Sequence, residues 1–476
     1  MPKSGVTIAF GSCRKQYKPA PVLDAVARLR PDLWLWTGDY LYPDEGTSPT
    51  QNADHLKINH AQARLSKDEQ RLRTVPLIDG VYDDHDFGQN DAGKNFRWKE
   101  AARSLFLDEV VEAPLDSPRR YRAGIYGSRT LGEPPSAVKV VMLDTRWSRD
   151  DHAVPSVGGS VWLPKPGWCA ALVRAACAAL GVGATAGDVL GEEQWAWLEQ
   201  ELRGSTASAH LIVSSIQVLT SSPVVESWGH FPSARERLLR LLAETRPAGA
   251  VLVSGDVHYA ELAGTRAAPP SVRKPRRAAS TVPPPGAELL EVTSSGLTHA
   301  CGASRYSAVA CAGMMRLFPR HRLSAAHFYT GINFGSAELR WPDDGSGGDD
   351  GGGGGGGGER GAMVLRVHGL NGTAALEHVL PLGLTPEQEG ARWRAGLAEL
   401  PTVFDGAVWL RAPLAIGTAF ALWLARRLVC PRRRARVPGT SRRARSLAKH
   451  AGAHDADARG EVRRSILGEL EDEHED

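Results

Sequence analysis

Short continuous apolar runs alternate along the chain with amphipathic stretches. Runs of strand length fall at Val6–Phe10, Leu33–Trp36, Val138–Leu143, Leu211–Ser214, Val251–Ser254 and Leu289–Val292, with a weaker one at Val75–Ile78. They are continuous rather than alternating, the pattern of strands covered on both faces. Helical periodicity is seen at Pro21–Arg30, Glu192–Arg203 and Ala234–Thr245. In Glu192–Arg203, Trp195, Leu198 and Leu202 share one face with Trp197 at its margin, a core-packing stripe rather than a ligand-stacking one. Buried strands alternating with helices predict an α/β domain.

Three segments break this pattern. Pro269–Pro285, rich in Pro, Arg and Ala, and Asp343–Gly358, with eight consecutive glycines, read as flexible insertions, bounded at about 265–285 and 343–358. Trp162–Gly191 reads as a further insertion containing a helix over Ala170–Leu180, able to cover a site. Near the C-terminus, Ala407–Ala425 holds nineteen residues with one charge, Arg411. That length suits a hydrocarbon layer of about 30 Å. The spacing predicts a main domain over 1–385, a linker over 386–406, a membrane-spanning helix over 407–425 and a disordered tail over 426–476. The basic residues that follow would face the cytosol and leave the main domain lumenal or extracellular. No secretory signal is readable in Met1–Phe10, so a cytoplasmic protein is the alternative.

Charge sharpens the picture. The formal charge is +3, but residues 426–449 carry ten Arg or Lys and no acid, and residues 450–476 carry nine acids against three Arg. The remainder is near neutral, which argues against an extended nucleic-acid footprint on the main domain. Six cysteines are too few for a disulfide scaffold of 476 residues. Cys169, Cys177, Cys301 and Cys311 can form two disulfides in any of three connectivities, or remain thiols.

The chemistry lies where the apolar runs stop. Gly11-Ser12-Cys13, Gly38-Asp39-Tyr40-Leu41-Tyr42, Tyr82-Asp83-Asp84-His85-Asp86, Leu143-Asp144-Thr145-Arg146, Ser214-Ser215-Ile216-Gln217 and Ser254-Gly255-Asp256-Val257-His258 each follow such a run. Ligands of α/β sheets bind outside the carboxyl ends of strands, so six polar groups converge there. They supply a thiol, a phenol, imidazoles and several carboxylates. Clustered carboxylates repel one another and any anionic substrate unless multivalent cations lie among them. Thiolate and imidazole suit a transition metal, and carboxylate and amide oxygens suit Ca²⁺ or Mg²⁺. Gly88–Asn95 matches a P-loop except for Asn95 where Ser or Thr belongs, and acids stand immediately before it. No nucleophile elbow of the G-x-S-x-G type is present.

On these residues the sequence resembles the alkaline phosphatase D (PhoD-like) family of metallophosphoesterases. The matching motifs are FGSC at Phe10–Cys13, TGDYLY at Thr37–Tyr42, YDDHDFGQNDAGK at Tyr82–Lys94, LDTRWSRD at Leu143–Asp150, SSIQV at Ser214–Val218, ESWGHFP at Glu226–Pro232 and VSGDVHYAEL at Val253–Leu262. Tyr82 departs from the Trp usual in the family. The resemblance implies a four-layer αββα sandwich with two mixed β-sheets. It implies that Cys13, Asp39, Tyr42 and His258 hold Fe³⁺ or another transition metal. Asp39 would bridge to Ca²⁺, held also by Asp84, Asn90 and Asp256. His85 is then the proton donor to the leaving group, and Arg146 and Arg149 are the phosphate contacts. The expected activity is hydrolysis of phosphomono- or phosphodiesters by a metal-bound hydroxide. The alternative is a non-catalytic, membrane-anchored module that binds metal or phosphoester.

Overall fold

A computed structural model of the chain describes residues 5–44, 52–154, 166–265, 289–317, 321–341, 361–402 and 405. These all belong to one compact unit, Met1–Ile416; Gly417–Asp476 forms a second unit outside the described residues. The strands are β1 (Gly5–Gly11), β2 (Leu33–Thr37), β3 (Ile78–Val81), β4 (Gly127–Leu131), β5 (Val138–Met142), β6 (Ala209–Val213), β7 (Ala250–Ser254), β8 (Ala260–Gly264), β9 (Leu290–Ser294), β10 (Phe328–Tyr329), β11 (Asn333–Arg340), β12 (Ala362–Gly369) and β13 (Ala374–Pro381). The helices are α1 (Val22–Leu29), α2 (Ala53–Leu65), α3 (Lys67–Leu72), α4 (Asp84–Phe87), α5 (Lys99–Leu105), α6 (Pro166–Ala179), α7 (Glu192–Arg203), α8 (Pro232–Thr245), α9 (Arg305–Leu317) and α10 (Pro386–Glu399).

The strands form two mixed sheets, in the orders β13-β12-β11-β1-β2-β3 and β10-β8-β9-β7-β6-β5-β4. β1, β2 and β3 run parallel in the first, and β5, β6, β7 and β9 in the second. Six of the apolar runs read from the sequence are among these seven strands; the weaker run, Val75–Ile78, meets β3 only at Ile78. β2 and β7 are buried at every position, as continuous apolar composition requires. Alternation along each strand decides what it packs against. Val140, Leu211, Val213, Val251 and Val253 join a core shared with Phe10, Leu35 and Leu365 of the first sheet. Val141, Ile212 and Leu252 point the other way, into a core with Trp195, Leu198, Leu238 and Leu242 of α7 and α8. Side chains of period two therefore bury both faces of the second sheet.

The structure redraws one C-terminal segment. Residues 386–399, expected as linker, form α10, capped by a Thr385–Gln388 box with Pro386 at the first turn. Trp393 is fully buried against α8, and Arg392 Nη2 donates to Ala250 O at 2.7 Å. The expected membrane placement is also corrected. Among the described residues no helix is long and apolar enough to cross a membrane. The longest, α6, α8 and α10, have fourteen residues, roughly 21 Å at 1.5 Å per residue, against a layer of about 30 Å. Residues 407–425 and both low-complexity insertions lie outside the described residues. Cys301 and Cys311 form a disulfide, while Cys177 carries a free thiol, so of the alternatives left open by the sequence one pairing is made and Cys177 takes part in none.

Candidate metal centre

The loops that follow β1, β2, β3, β7 and β9 bring the site together. Their backbone is held in an unusual conformation: Cys13, Asp39, Asp256 and His258 have positive φ values of 64, 53, 69 and 60°. Four non-glycine residues in the left-handed region within one site amount to stored strain, which clusters at functional positions. The strand ends also crowd one another. A Cβ on Gly38, itself at φ +103°, would lie 2.6 Å from Asp83 Cβ, and one on Gly255 would lie 2.4 Å from Thr37 O. Glycine at both positions lets the ends of the two sheets meet.

Asp39 is the hub. Its Oδ2 accepts from Tyr42 Oη at 2.7 Å and lies 3.4 Å from Cys13 Sγ. Tyr42 Oη is 3.2 Å from His258 Nε2. Asp39 shares one donor group with Cys13 and His258, a second with Asp84 and His85, and a third with Asp83, Asp84 and Asp256. Cys13, Asp39, Tyr42, Asp84, His85, Asp256 and His258 are thus brought together as expected. Asn90 sits half-buried in the loop after α4, where the next residue, Asp91, donates its backbone N–H to Asp84 Oδ2 at 2.5 Å.

Electrostatics explains what such a cluster needs. Burial and the neighbouring Cys13 push the Asp39 carboxyl well above its ordinary range, and burial with Asp83 and Asp84 does the same to Asp256. Burial pushes the Cys13 thiol up to about 11 and the His258 imidazole down to about 3. These four shifts all disfavour charge, as desolvated groups without a counter-ion must, whereas burial of His85 is outweighed by the carboxylates of Asp44, Asp84 and Asp39, which push its imidazole well above the ordinary range. Asp39 Oδ1 and Asp83 Oδ2 are buried and have no hydrogen-bond partner. Orphaned acceptors beside a thiol, a phenol and an imidazole are the donor set of a transition metal next to an oxygen-liganded cation. The residues fit a metal centre.

Arg146 and Arg149 stand apart from the expected role. Arg146 is fully buried, its Nη1 and Nη2 bidentate to Glu226 at 2.9 and 3.0 Å and its Nε on Asp83 Oδ1 at 2.5 Å. Arg149 is also buried; it donates to the carbonyls of Ala92 and Asp150 and lies 3.4 Å from Glu226. Burial and the carboxylates of Asp83 and Glu226 already engage the Arg146 fork, so these side chains brace the acidic wall rather than face an open pocket.

A match to the family model of PhoD-like phosphatases covers residues 8–290. The chain belongs to the PhoD-like phosphatase family. Alkaline phosphatase D of Bacillus subtilis (strain 168) is 26% identical over 287 residues, 53% of this chain and 46% of that protein. The chain therefore matches less than half the length of that relative. Two solved structures resemble the fold at lower identity. "Structure of PhoD" is 16% identical with a TM-score of 0.48, covering 83% of this chain and 77% of that one. "GAP50 the anchor in the inner membrane complex of Plasmodium" is 14% identical with a TM-score of 0.43, covering 84% and 96%.

In this PhoD-like chain several site residues escaped the sequence reading. Asp83 lay in a strand-end group already noted, and Glu226 in ESWGHFP, but neither had an assigned role. Asp44 Oδ1 lies 2.7 Å from His85 Nδ1 and stands just past TGDYLY. His299 Nε2 lies 3.1 Å from His258 Nε2 and Ser295 Oγ lies 2.9 Å from Cys13 Sγ, both on the loop after β9. The signal was available there, since the apolar run of β9 also ends in Ser294-Ser295-Gly296. Arg174, on α6, pairs with Asp91; no local motif marks it.

Proposed function

We propose that the protein is a metal-dependent hydrolase of phosphomono- or phosphodiesters, built on a four-layer αββα sandwich. The observation that carries this reading is Asp39, one carboxylate common to three buried donor groups at the strand ends. Membership of the PhoD-like phosphatase family supports it. Cys13, Asp39, Tyr42 and His258 would hold Fe³⁺ or a similar transition metal, and Asp39, Asp84, Asn90 and Asp256 would hold Ca²⁺. Metals bound there would neutralise the phosphoryl oxygens and lower the pKa of water.

The protein's own groups do the rest. Asp44 orients His85 through Nδ1, leaving Nε2 to hold the proton that the departing alkoxide takes. Arg146 pairs with Asp83 and Glu226, and Arg149 lies against Glu226, so that the acids of the wall do not push one another apart. The test is hydrolysis of p-nitrophenyl phosphate and bis(p-nitrophenyl) phosphate by the protein supplied with iron and Ca²⁺. Turnover should be sensitive to chelators and should disappear in a folded Asp39→Asn variant. Unchanged turnover in that variant would overturn the reading.

A further inference from the structure

The two sheets end at β3 and β4, and residues of both edge strands line a cavity of about 600 Å³. Sites for small organic molecules run from roughly 300 to 1,000 Å³. None of the lining residues belongs to the metal centre. Leu77, Glu112 and Ser128, which line it, are exposed, so the cavity opens to solvent. Part of its wall is apolar, with Val75, Val110, Ala113 and Met142 buried. The rest is charged. Arg73, Arg119, Arg122 and Arg129 face Asp79, Glu112 and Glu201, four cations against three acids.

The acids of this wall are all engaged. Asp79 takes Arg119 at 2.5 Å and Arg129 at 2.8 Å, Glu112 takes Arg73 at 2.8 Å, and Glu201 takes Lys139 at 2.6 Å. Arg122 is the cation left over. Among the described residues it forms no ion pair and is held by aromatic rings instead. Its guanidinium carbon lies 5.1 Å from the centre of the Tyr126 ring and 5.3 Å from that of Trp197, which lines the cavity with it. Ring contacts hold a guanidinium by its faces and leave its in-plane donors available. Nη1 donates to Tyr126 O at 3.2 Å, and Nε and Nη2 have no acceptor among the described residues. The other three arginines of the wall spend their donors on acids. A guanidinium fixed by stacking in the wall of a cavity, with donors to spare, is suited to an oxyanion.

We propose that this cavity is a second binding site, separate from the metal centre, for a small organic anion whose oxyanion head lies on Arg122 and whose apolar body lies on the wall of Val75, Val110 and Met142. The inference goes beyond the phosphoesterase reading and does not depend on it. The uncompensated charge of Arg122 selects for the head, and the apolar wall gains only from a ligand that brings a body to cover it. An inorganic anion would leave that wall wet, and a neutral apolar molecule would leave Arg122 without a partner.

The test uses the full chain supplied with iron and Ca²⁺ and two fluorescent probes of one shape, anilinonaphthalene sulfonate and the uncharged phenylnaphthylamine. Wild type should bind the sulfonate at a single saturable site per chain. In Arg122→Gln the sulfonate Kd should rise at least tenfold, and the phenylnaphthylamine Kd should change no more than threefold. Val111→Glu, which sets an acid in the half-buried part of the same wall, should show the same selective loss, and it carries the test if Arg122→Gln does not fold. Asp39→Asn, at the metal centre, should bind the sulfonate as wild type does. Equal losses of both probes in Arg122→Gln would reduce the cavity to a patch of apolar surface and overturn the proposal. So would sulfonate binding that does not saturate, or that survives both cavity variants. Binding lost in Asp39→Asn and kept in Arg122→Gln would place the probe on the metals and overturn it as well.

Discussion

A carboxylate closed off from water among three other acids and a thiol is stable as an anion only beside a cation, and Asp39 is in that position. The same reasoning makes the groups behind the wall sensitive to single changes. Glu226 is the common partner of Arg146, Arg149 and His152, all buried. Glu226→Gln leaves two guanidiniums without a full counter-charge and should destabilise the fold by about 3–5 kcal/mol, read as a lower midpoint in urea. Asp44→Asn keeps the shape of the partner on His85 Nδ1 but removes its charge. It should lower kcat by about 10–100-fold, the range for lost support of a site residue, with metal content unchanged; metal loss would show that Asp44 acts on the cations instead. Away from the site, His210 is buried between Ala248 O and Ser205 Oγ, and burial lowers its pKa from 6.5 to about 4. The unfolded chain binds this proton below about pH 6.5 and the folded chain does not until about pH 4. His210 therefore supports folding fully above pH 6.5 and loses that contribution as pH falls toward 4, by about 3 kcal/mol at one pKa unit per 1.36 kcal/mol. His210→Asn should flatten the acid limb of the stability profile.

At the scale of elements, α10 shows how a short helix becomes part of a core. Its first turn is set locally, by Thr385, Pro386 and Gln388. Its place is set by Trp393 against α8 and by Glu389 Oε1, which accepts from Gly249 N at 2.7 Å at the start of β7. Trp393→Ala should cost about 3–5 kcal/mol, as for other large buried side chains. Thr385→Ala should cost about 1 kcal/mol, as loss of a cap does. Both are measured by equilibrium unfolding, and a negligible effect of Trp393→Ala would return residues 386–399 to the linker expected from composition. The capping box was legible in the sequence; the burial of Trp393 was not, because α10 has few other apolar residues from which to read a face. β4, β8, β10, β11, β12 and β13 were missed for a related reason. They pair antiparallel; β4 alternates buried with more exposed positions, β13 is largely exposed, and the polar Glu261 and Ser336 interrupt the buried β8 and β11, so no continuous apolar run announces them.

For the whole molecule, the metals and the fold should stabilise each other. The strand ends of two sheets are drawn together around acids that repel in the absence of a cation, so an ion that binds only the folded state raises stability by mass action. At a concentration 100 times its Kd the gain is about 2.7 kcal/mol. The thermal midpoint of the chelated protein should rise on adding Ca²⁺ with iron, and that rise should be lost in Asp39→Asn. An unchanged midpoint in wild type would argue that the cluster is held by protonation alone.

The sequence by itself determined six of the seven parallel strands, four of the helices and the residue types at the strand ends. These depend on local composition and period, which a buried parallel strand states plainly, and on motifs that share one short segment each. Only the tertiary structure decided which partners those residues take. Whether Arg146 faces a phosphate or Glu226 depends on an acid 80 positions away, and Arg174 meets Asp91 across 83 positions. Hydropathy marked Ala407–Ala425 as membrane-spanning, yet hydropathy counts residues and says nothing of whether a helix forms there or what lies against it. Charge pairing and burial are properties of distant segments brought together, and no window along the chain contains them.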